Sequence, residues 1–333
     1  MKKWIALLMA LVLVLGLTAC GQQAQEETPV ENEEVVEATE ETYVVGICQL
    51  VEHVALDAAT QGFQDALTEA LGDRVTFDMQ NAAGDSNTCA TIVNSFVAQN
   101  VDLIMANATP ALQAAAAATM DIPILGTSVT EYGVAMGIED FYGTVGGNIS
   151  GTSDLAPLDE QAAMLVELFP ETQKVALIYC SAEANSQYQV NVVKSELEDM
   201  GLEAELFSFT DSNDMAAIAT AACEYADVIY VPTDNTVASS AAILDGIARP
   251  AGIPVITGEE GICAGCGVAT LSISYYDLGR QTGVMAAQVL TGEADISEMP
   301  IQYAPQFTKK YNAEICEELN VTIPEDYIAI EAQ

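Results

Sequence analysis

The sequence predicts an α/β protein of two successive lobes joined by several crossings, and three observations carry that expectation. Short apolar, β-branched runs alternate with amphipathic stretches of helical period. Each run opens into a polar loop rich in hydroxyls, amides or a carboxylate. The alternation breaks at one glycine-rich stretch in mid-chain and then restarts.

The first unit, Tyr43 to Leu67, sets the pattern. Val44, Val45, Gly46, Ile47 and Cys48 form an apolar run suited to a buried parallel strand. The irregular QLVEH follows, then a helix with Leu56, Ala59, Phe63, Ala66 and Leu67 on one face. In open parallel sheets, ligands bind outside the carboxyl ends of the strands, where Gln49 to His53 fall. Three more strands are expected at Arg74 to Asp78, Val101 to Met105 and Ile122 to Leu125, with outlets at 81–88, 107–110 and 126–132. After the crossing at Phe141 to Ser153, strands at Val175 to Tyr179, Glu203 to Phe207, Val228 to Val231 and Pro254 to Ile256 open into outlets at 180–186, 210–213, 232–236 and 257–260. Further crossings are expected at Leu271 to Tyr275 and Met299 to Phe307. Two rows of strand outlets then face each other across a cleft able to close on a small ligand.

Composition narrows the function. Among 333 residues, 49 acids outweigh 9 bases, for a formal net charge of −40. A nucleic-acid backbone needs a basic face, so nucleic acid is excluded as a partner. Anionic lipid headgroups would likewise be repelled. Residues 1–20 read as a lipoprotein signal peptide: Lys2 and Lys3, an apolar stretch from Ile5 to Leu17, then Leu17-Thr18-Ala19-Cys20, which resembles a lipobox with Cys20 as the lipidated residue. That places the protein outside the cytoplasm, attached to the cell membrane by lipid alone. Residues 21–42 are acidic and poor in large apolar side chains, as in a disordered tether. Seven cysteines remain after Cys20. Cys263 and Cys266 have a CxxC spacing, but no second CxxC exists and His53 is the sole histidine, so no metal site is expected. A local Cys263–Cys266 disulfide stays open.

No enzyme signature is present. GxSxG, a Walker pattern and a dinucleotide fingerprint are absent, and no cofactor is expected. His53, at an outlet, suits a cleft-lining or loop-bracing role better than a general base. A binder needs hydrogen-bond donors for an anionic group, a carboxylate for a cationic one, and an apolar or aromatic slot. Thr109, Thr127, Ser128, Asn185, Ser186 and Thr233 stand where outlets lead into helices, as donors or as helix caps. Asp234, Glu259 and Asp277 are carboxylates for an ammonium group, or again caps. Tyr132, Tyr188, Tyr275 and Tyr276 are candidate aromatic walls or packing residues.

The stretches VGICQLVEHVALDAATQGF, QNAAGDSN, DLIMANATPALQAAA, IPILGTSVTE, GGNISGTSD, EANSQYQV, DSNDM, IYVPTDNTV and SYYDLGRQTG together resemble the solute-binding lipoproteins of ABC importers, in the group that includes binders of tryptophan and other aromatic amino acids. They run in family order from Tyr43 to about Leu290. Glu131-Tyr132 stands where the family commonly has Asp-Pro, and Cys48 and the CAGC run fall outside its pattern. The resemblance implies a type I periplasmic-binding fold: two Rossmann-like lobes, with 43–148 and 275–298 in the first and 149–274 and 299–333 in the second, linked by three hinge crossings. It implies a monomeric receptor that closes on an aromatic amino acid and delivers it to a permease with its ATPase subunits. On this reading Thr109, Thr127, Asn185 and Ser186 hold the α-carboxylate, and Ser128 is a further ligand contact. Asp234 pairs with the α-ammonium, with Glu259 or Asp277 as rivals. Gln49, Leu50, His53 and Tyr132 line the side-chain slot. A nucleoside or sugar receptor on the same fold, and a thiol redox protein built around Cys263 and Cys266, are the alternatives.

Overall fold

The computed structural model describes residues 41–331; the expected signal peptide, Cys20 and nearly all of the expected tether lie outside the described residues. The first lobe begins with β1 (Tyr43–Gln49), α1 (Val54–Leu71), β2 (Val75–Asn81), α2 (Ser86–Gln99), β3 (Leu103–Asn107), α3 (Thr109–Ala118), β4 (Ile124–Val129), α4 (Tyr132–Met136) and β5 (Ile149–Ser153). The second lobe carries α5 (Leu158–Leu168), β6 (Lys174–Cys180), α6 (Ala184–Asp199), β7 (Glu203–Phe209), α7 (Met215–Tyr225), β8 (Val228–Val231), α8 (Asn235–Ala238), α9 (Ala241–Ala251), β9 (Val255–Thr257), α10 (Glu260–Cys266) and β10 (Ala269–Ser272). The chain then returns to the first lobe for α11 (Tyr275–Leu290) and β11 (Gln302–Tyr303), and ends in the second with β12 (Thr308–Tyr311), α12 (Ala313–Leu319) and β13 (Ile328–Ala329).

The strand orders are β11-β5-β4-β3-β1-β2 and β13-β12-β10-β9-β8-β6-β7, parallel except where β12 runs against β10. Both are doubly wound, and the order reverses between the first and third strands of each lobe. Both faces of each sheet are covered at its centre, so in inner strands such as β3, β4 and β8 residues of either parity are buried. Val45 and Ile47 of β1 pack with Phe63 of α1 and Met285 of α11, whereas Cys48 packs with Val93 and Phe96 of α2. In β6, Val175 and Leu177 face one core, and Ala176 and Ile178 the other.

The expected lobe boundaries move. β5 pairs with β4 and β11 pairs with β5, so both strands belong to the first sheet rather than the second lobe. The crossings are the short links at 154–157, 273–274 and 304–307. Most of the glycine-rich run before β5 is irregular, and only its last five residues form a strand. Leu271 is likewise inside β10, a strand of the second sheet, and the CAGC run forms the end of α10. The helix expected at Val237 to Ala248 is broken into α8 and α9.

α11 joins the first lobe because glycines let it lie against α1. A Cβ on Gly279 would sit 1.9 Å from the Ala59 carbonyl oxygen, and one on Gly62 would sit 2.1 Å from that of Tyr276. Arg280 adds two hydrogen bonds to the Glu69 carboxylate. Among the described residues, no helix is long and apolar enough to cross a membrane.

Candidate functional site

The carboxyl ends of three strands from each sheet meet around a cavity of about 230 Å³. Leu50, Gly84 and Pro110 line it from the first lobe, and Glu183, Thr210 and Asn235 from the second. His53 Nε2 lies 3.2 Å from Asn235 Oδ1 across the gap. This is a direct side-chain hydrogen bond between the lobes.

On the second lobe the outlets are tied together by carboxylates. Glu183, buried at the start of α6, accepts from Asn235 N and Nδ2 at 3.1 and 2.6 Å, from Thr236 N and Oγ1 at 2.9 and 2.8 Å, and from Asn185 Nδ2 at 3.2 Å. Asp234 accepts from Cys180 N at 2.7 Å and from Val237 N at 2.9 Å, bracing β6 while capping α8. Burial, then the neighbouring Glu183 charge, pushes its carboxyl up to about 8. Glu259 caps α10 through the N–H groups of Gly261, at 2.6 Å, and Ile262. Burial raises it to about 7. The structure thus sets Asp234 and Glu259 at strand outlets, but with both oxygens of each on backbone N–H groups. Asp277 is exposed in the first turn of α11 and lines a different groove, of about 410 Å³, with Gln302 and Tyr303.

On the first lobe, three of the expected residues serve the fold. Gln49 donates to Asp57 at 2.6 Å and to the Val51 carbonyl at 3.0 Å, and accepts from Thr60 at 2.6 Å, so its amide fixes the start of α1. Thr127 joins a buried hydroxyl chain through Thr152 to Thr282 of α11, at 3.2 and 2.8 Å. The Tyr132 hydroxyl donates to the Thr152 carbonyl at 3.1 Å and fills the space that Gly126 and Gly151 leave open.

Other polar atoms are sealed from solvent without a partner: His53 Nδ1, Asn107 Oδ1, Thr109 Oγ1, Ser128 Oγ, Asp154 Oδ1 and Asn185 Oδ1. These six stand at strand outlets or at the first crossing; another such atom, Thr270 Oγ1, lies inside β10. Buried polar groups are nearly always hydrogen-bonded, so a cluster of exceptions marks a place built for something else. The backbone agrees. Ala108 and Ser128 adopt positive φ values of 90° and 53°, strain of the kind that gathers at ligand sites. The Ser128 conformation accompanies a register shift between β4 and β5. α3 and α6 begin without a side-chain cap, leaving N–H groups at facing outlets. Asn185 also donates to the Thr233 carbonyl at 3.1 Å and to Ser186 Oγ at 3.3 Å.

Asp154, Glu183 and Asn235 were not legible as site residues. Asp154 Oδ2 accepts from the Tyr275 hydroxyl at 2.9 Å, which joins two of the crossings. Burial raises its carboxyl, opposed by that bond and one from Thr130. The available signal was a carboxylate directly after the hydroxyl-rich run Ser150 to Ser153. Among the described residues, the seven cysteines are unpaired, and no group of three or more His, Cys, Asp or Glu side chains is placed to hold a metal ion. Burial pushes the Cys263 and Cys266 thiols up, which suppresses the reactive thiolate.

A family profile described as "ABC transporter substrate binding protein" matches residues 44–333. The chain is 36% identical over 304 residues to the tyrosine-binding protein of Clostridioides difficile (strain R20291), covering 90% of this chain and 87% of that one. A solved ABC domain from Streptococcus pneumonia in complex with L-Trp is 33% identical, with a TM-score of 0.81, over 86% of this chain and 97% of that one. The ligand-free, open structure of a substrate-binding protein with adhesive properties from Clostridium difficile is 36% identical, with a TM-score of 0.67, over 88% of this chain and 100% of that one. The more similar sequence superposes less well on this chain. Two doubly wound lobes closing on one cleft, and a profile match over all but the first of their residues, make this chain a member of the ABC transporter substrate-binding protein family.

Proposed function

We propose that this protein is the extracytoplasmic receptor of an ABC importer for a free aromatic amino acid, held at the membrane by lipid on Cys20. The observation that carries the amino-acid reading is the set of unpartnered buried atoms around the cleft, which suits a zwitterion. Thr109 and Ser128 hydroxyls, beside the uncapped start of α3, receive the α-carboxylate from the first lobe, and Asn185 and Ser186 at the start of α6 meet it from the second. Asp154 takes the α-ammonium, because its Oδ1 is free, whereas Asp234 and Glu259 have spent both oxygens on backbone N–H groups. Ligand touches both lobes only when they are closed, so binding shifts the population toward the closed form that the permease meets.

The names of the relatives support the ligand class: one is called tyrosine-binding and another was solved with L-Trp. A thermal-shift screen tests it, using protein freed of carried-over ligand by unfolding and refolding. Twenty amino acids, common nucleosides and simple sugars are compared, since a ligand of the folded state raises the melting point by mass action. Shifts confined to aromatic amino acids are expected; a shift with nucleosides or sugars and none with amino acids would overturn the assignment. For the anchor, Cys20→Ser should release the protein from the membrane fraction into the soluble one.

A further inference from the structure

We propose that His53 is a specificity-determining residue, whose Nδ1 accepts a hydrogen bond from an N–H or O–H on the ligand's side chain. The inference rests on the amino-acid reading above and deepens it. Its first step is the orientation of Asn235. The Asn235 nitrogen at 2.6 Å from Glu183 Oε2 is the donor, because that oxygen already accepts from the Asn235 backbone N–H at 3.1 Å. Asn235 Oδ1 therefore points at His53 and can only accept. The His53 nitrogen 3.2 Å away, Nε2, must then carry the hydrogen.

In the neutral ring this leaves Nδ1 with a bare lone pair. The ring is neutral because burial lowers its pKa, against the opposing pull of the Asn235 bond and of the Glu183 and Asp57 charges. Nδ1 is closed off from solvent and has no partner in the protein. Glu183 and Asp57 are carboxylates and offer it no donor. Leu50 and Val51, just before His53, and Asn235 and Glu183, opposite it, all line the cavity between the lobes. His53 thus stands between residues that line this cavity, bonded through Nε2 to one of them, and its second nitrogen is an acceptor without a donor.

With the ammonium on Asp154, the donor comes from the side chain. An indole N–H or a phenol O–H meets this requirement and a phenyl ring does not. Phenylalanine would close the lobes over an unsatisfied acceptor, which costs roughly tenfold to a hundredfold in affinity. The same ring holds the lobes together through Nε2, so it reads the ligand only in the closed state.

Calorimetric titration of tyrosine, tryptophan and phenylalanine into the native protein and a His53→Leu variant is the test. The native protein should prefer tyrosine or tryptophan to phenylalanine by tenfold or more, and the variant should lose that ratio. A residue acting only as a latch would weaken all three ligands alike and leave the ratio intact. Since His53 is the only histidine, nitrogen-15 histidine labelling of protein made without a histidine tag reports this one ring. Nδ1 should appear unprotonated in the free protein, and its signal should move on adding tyrosine but not phenylalanine. This measurement decides the matter even if the variant fails to fold. Equal binding of phenylalanine, or a protonated Nδ1 in the free protein, would overturn the role of His53 and leave the amino-acid reading standing. Binding of none of the three would overturn both.

Discussion

Two buried aspartates illustrate how position separates a proposed ligand contact from a structural brace. Asp154 has one oxygen on Tyr275 and the other unpartnered, so Asp154→Asn should weaken amino-acid binding by roughly tenfold to a hundredfold while the melting point of the free protein falls little. Calorimetry and melting on one sample check both halves. Asp234→Ala strips the acceptor from Cys180 N and Val237 N and should cost about 1–3 kcal/mol of stability, read by denaturant unfolding. Asp154 also gives binding a pH dependence. Burial raises its pKa in the free protein, and only the carboxylate pairs with an ammonium, so affinity is full above that pKa and falls as pH drops through it. Titration across the acid range should show affinity declining together with proton uptake by the free protein. A flat profile would separate Asp154 from the ammonium.

At the scale of elements, the sequence was most informative where burial is two-sided and least so where the chain changes lobe. Val45 to Cys48 and Val228 to Val231 are legible because a parallel strand covered on both faces is apolar throughout. β11 and β13 escape notice since two residues carry no period, and their pairing is decided by distant strands. β5 was read as a crossing because Gly151 and three hydroxyl residues hide a strand in which every residue is buried. The outlets were visible as polar loops, but which carboxylate is spent on a cap depends on where helix N–H groups point. Asp234 and Asp154 look alike in sequence for that reason. Element packing predicts a steep effect at the α1–α11 contact. Gly279→Leu forces a side chain against the Ala59 carbonyl and should destabilise by about 3 kcal/mol or prevent folding, measured by circular dichroism on melting.

For the whole molecule, charge and buried acids combine. Asp234, at about 8, and Glu259, at about 7, hold their protons more tightly folded than unfolded, where their ordinary values are 3.8 and 4.5. Their share of stability is complete below those ordinary values and is lost as pH rises through the folded ones. The net charge of −40 acts in the same direction, through self-repulsion. Asp85 and Asp227, lowered by backbone N–H groups, oppose this only at more acid pH, as their carboxylates take up protons. The melting point should therefore be higher at about pH 5 than at about pH 8, and salt should raise it more at the higher pH. A melting point that rises with pH across this range would contradict the burial of both acids. The return of the chain to the first lobe through α11 also orders events in time. One flank of β1 and β3, with Val45, Ile47, Leu103 and Met105, stays without its Met285 and Ala286 cover until residues beyond 274 are made. A growing chain therefore remains incompletely packed for most of its synthesis, a slow, nonlocal route to the native core. A chain stopped at Ser274 should bind a hydrophobic dye that the finished receptor ignores.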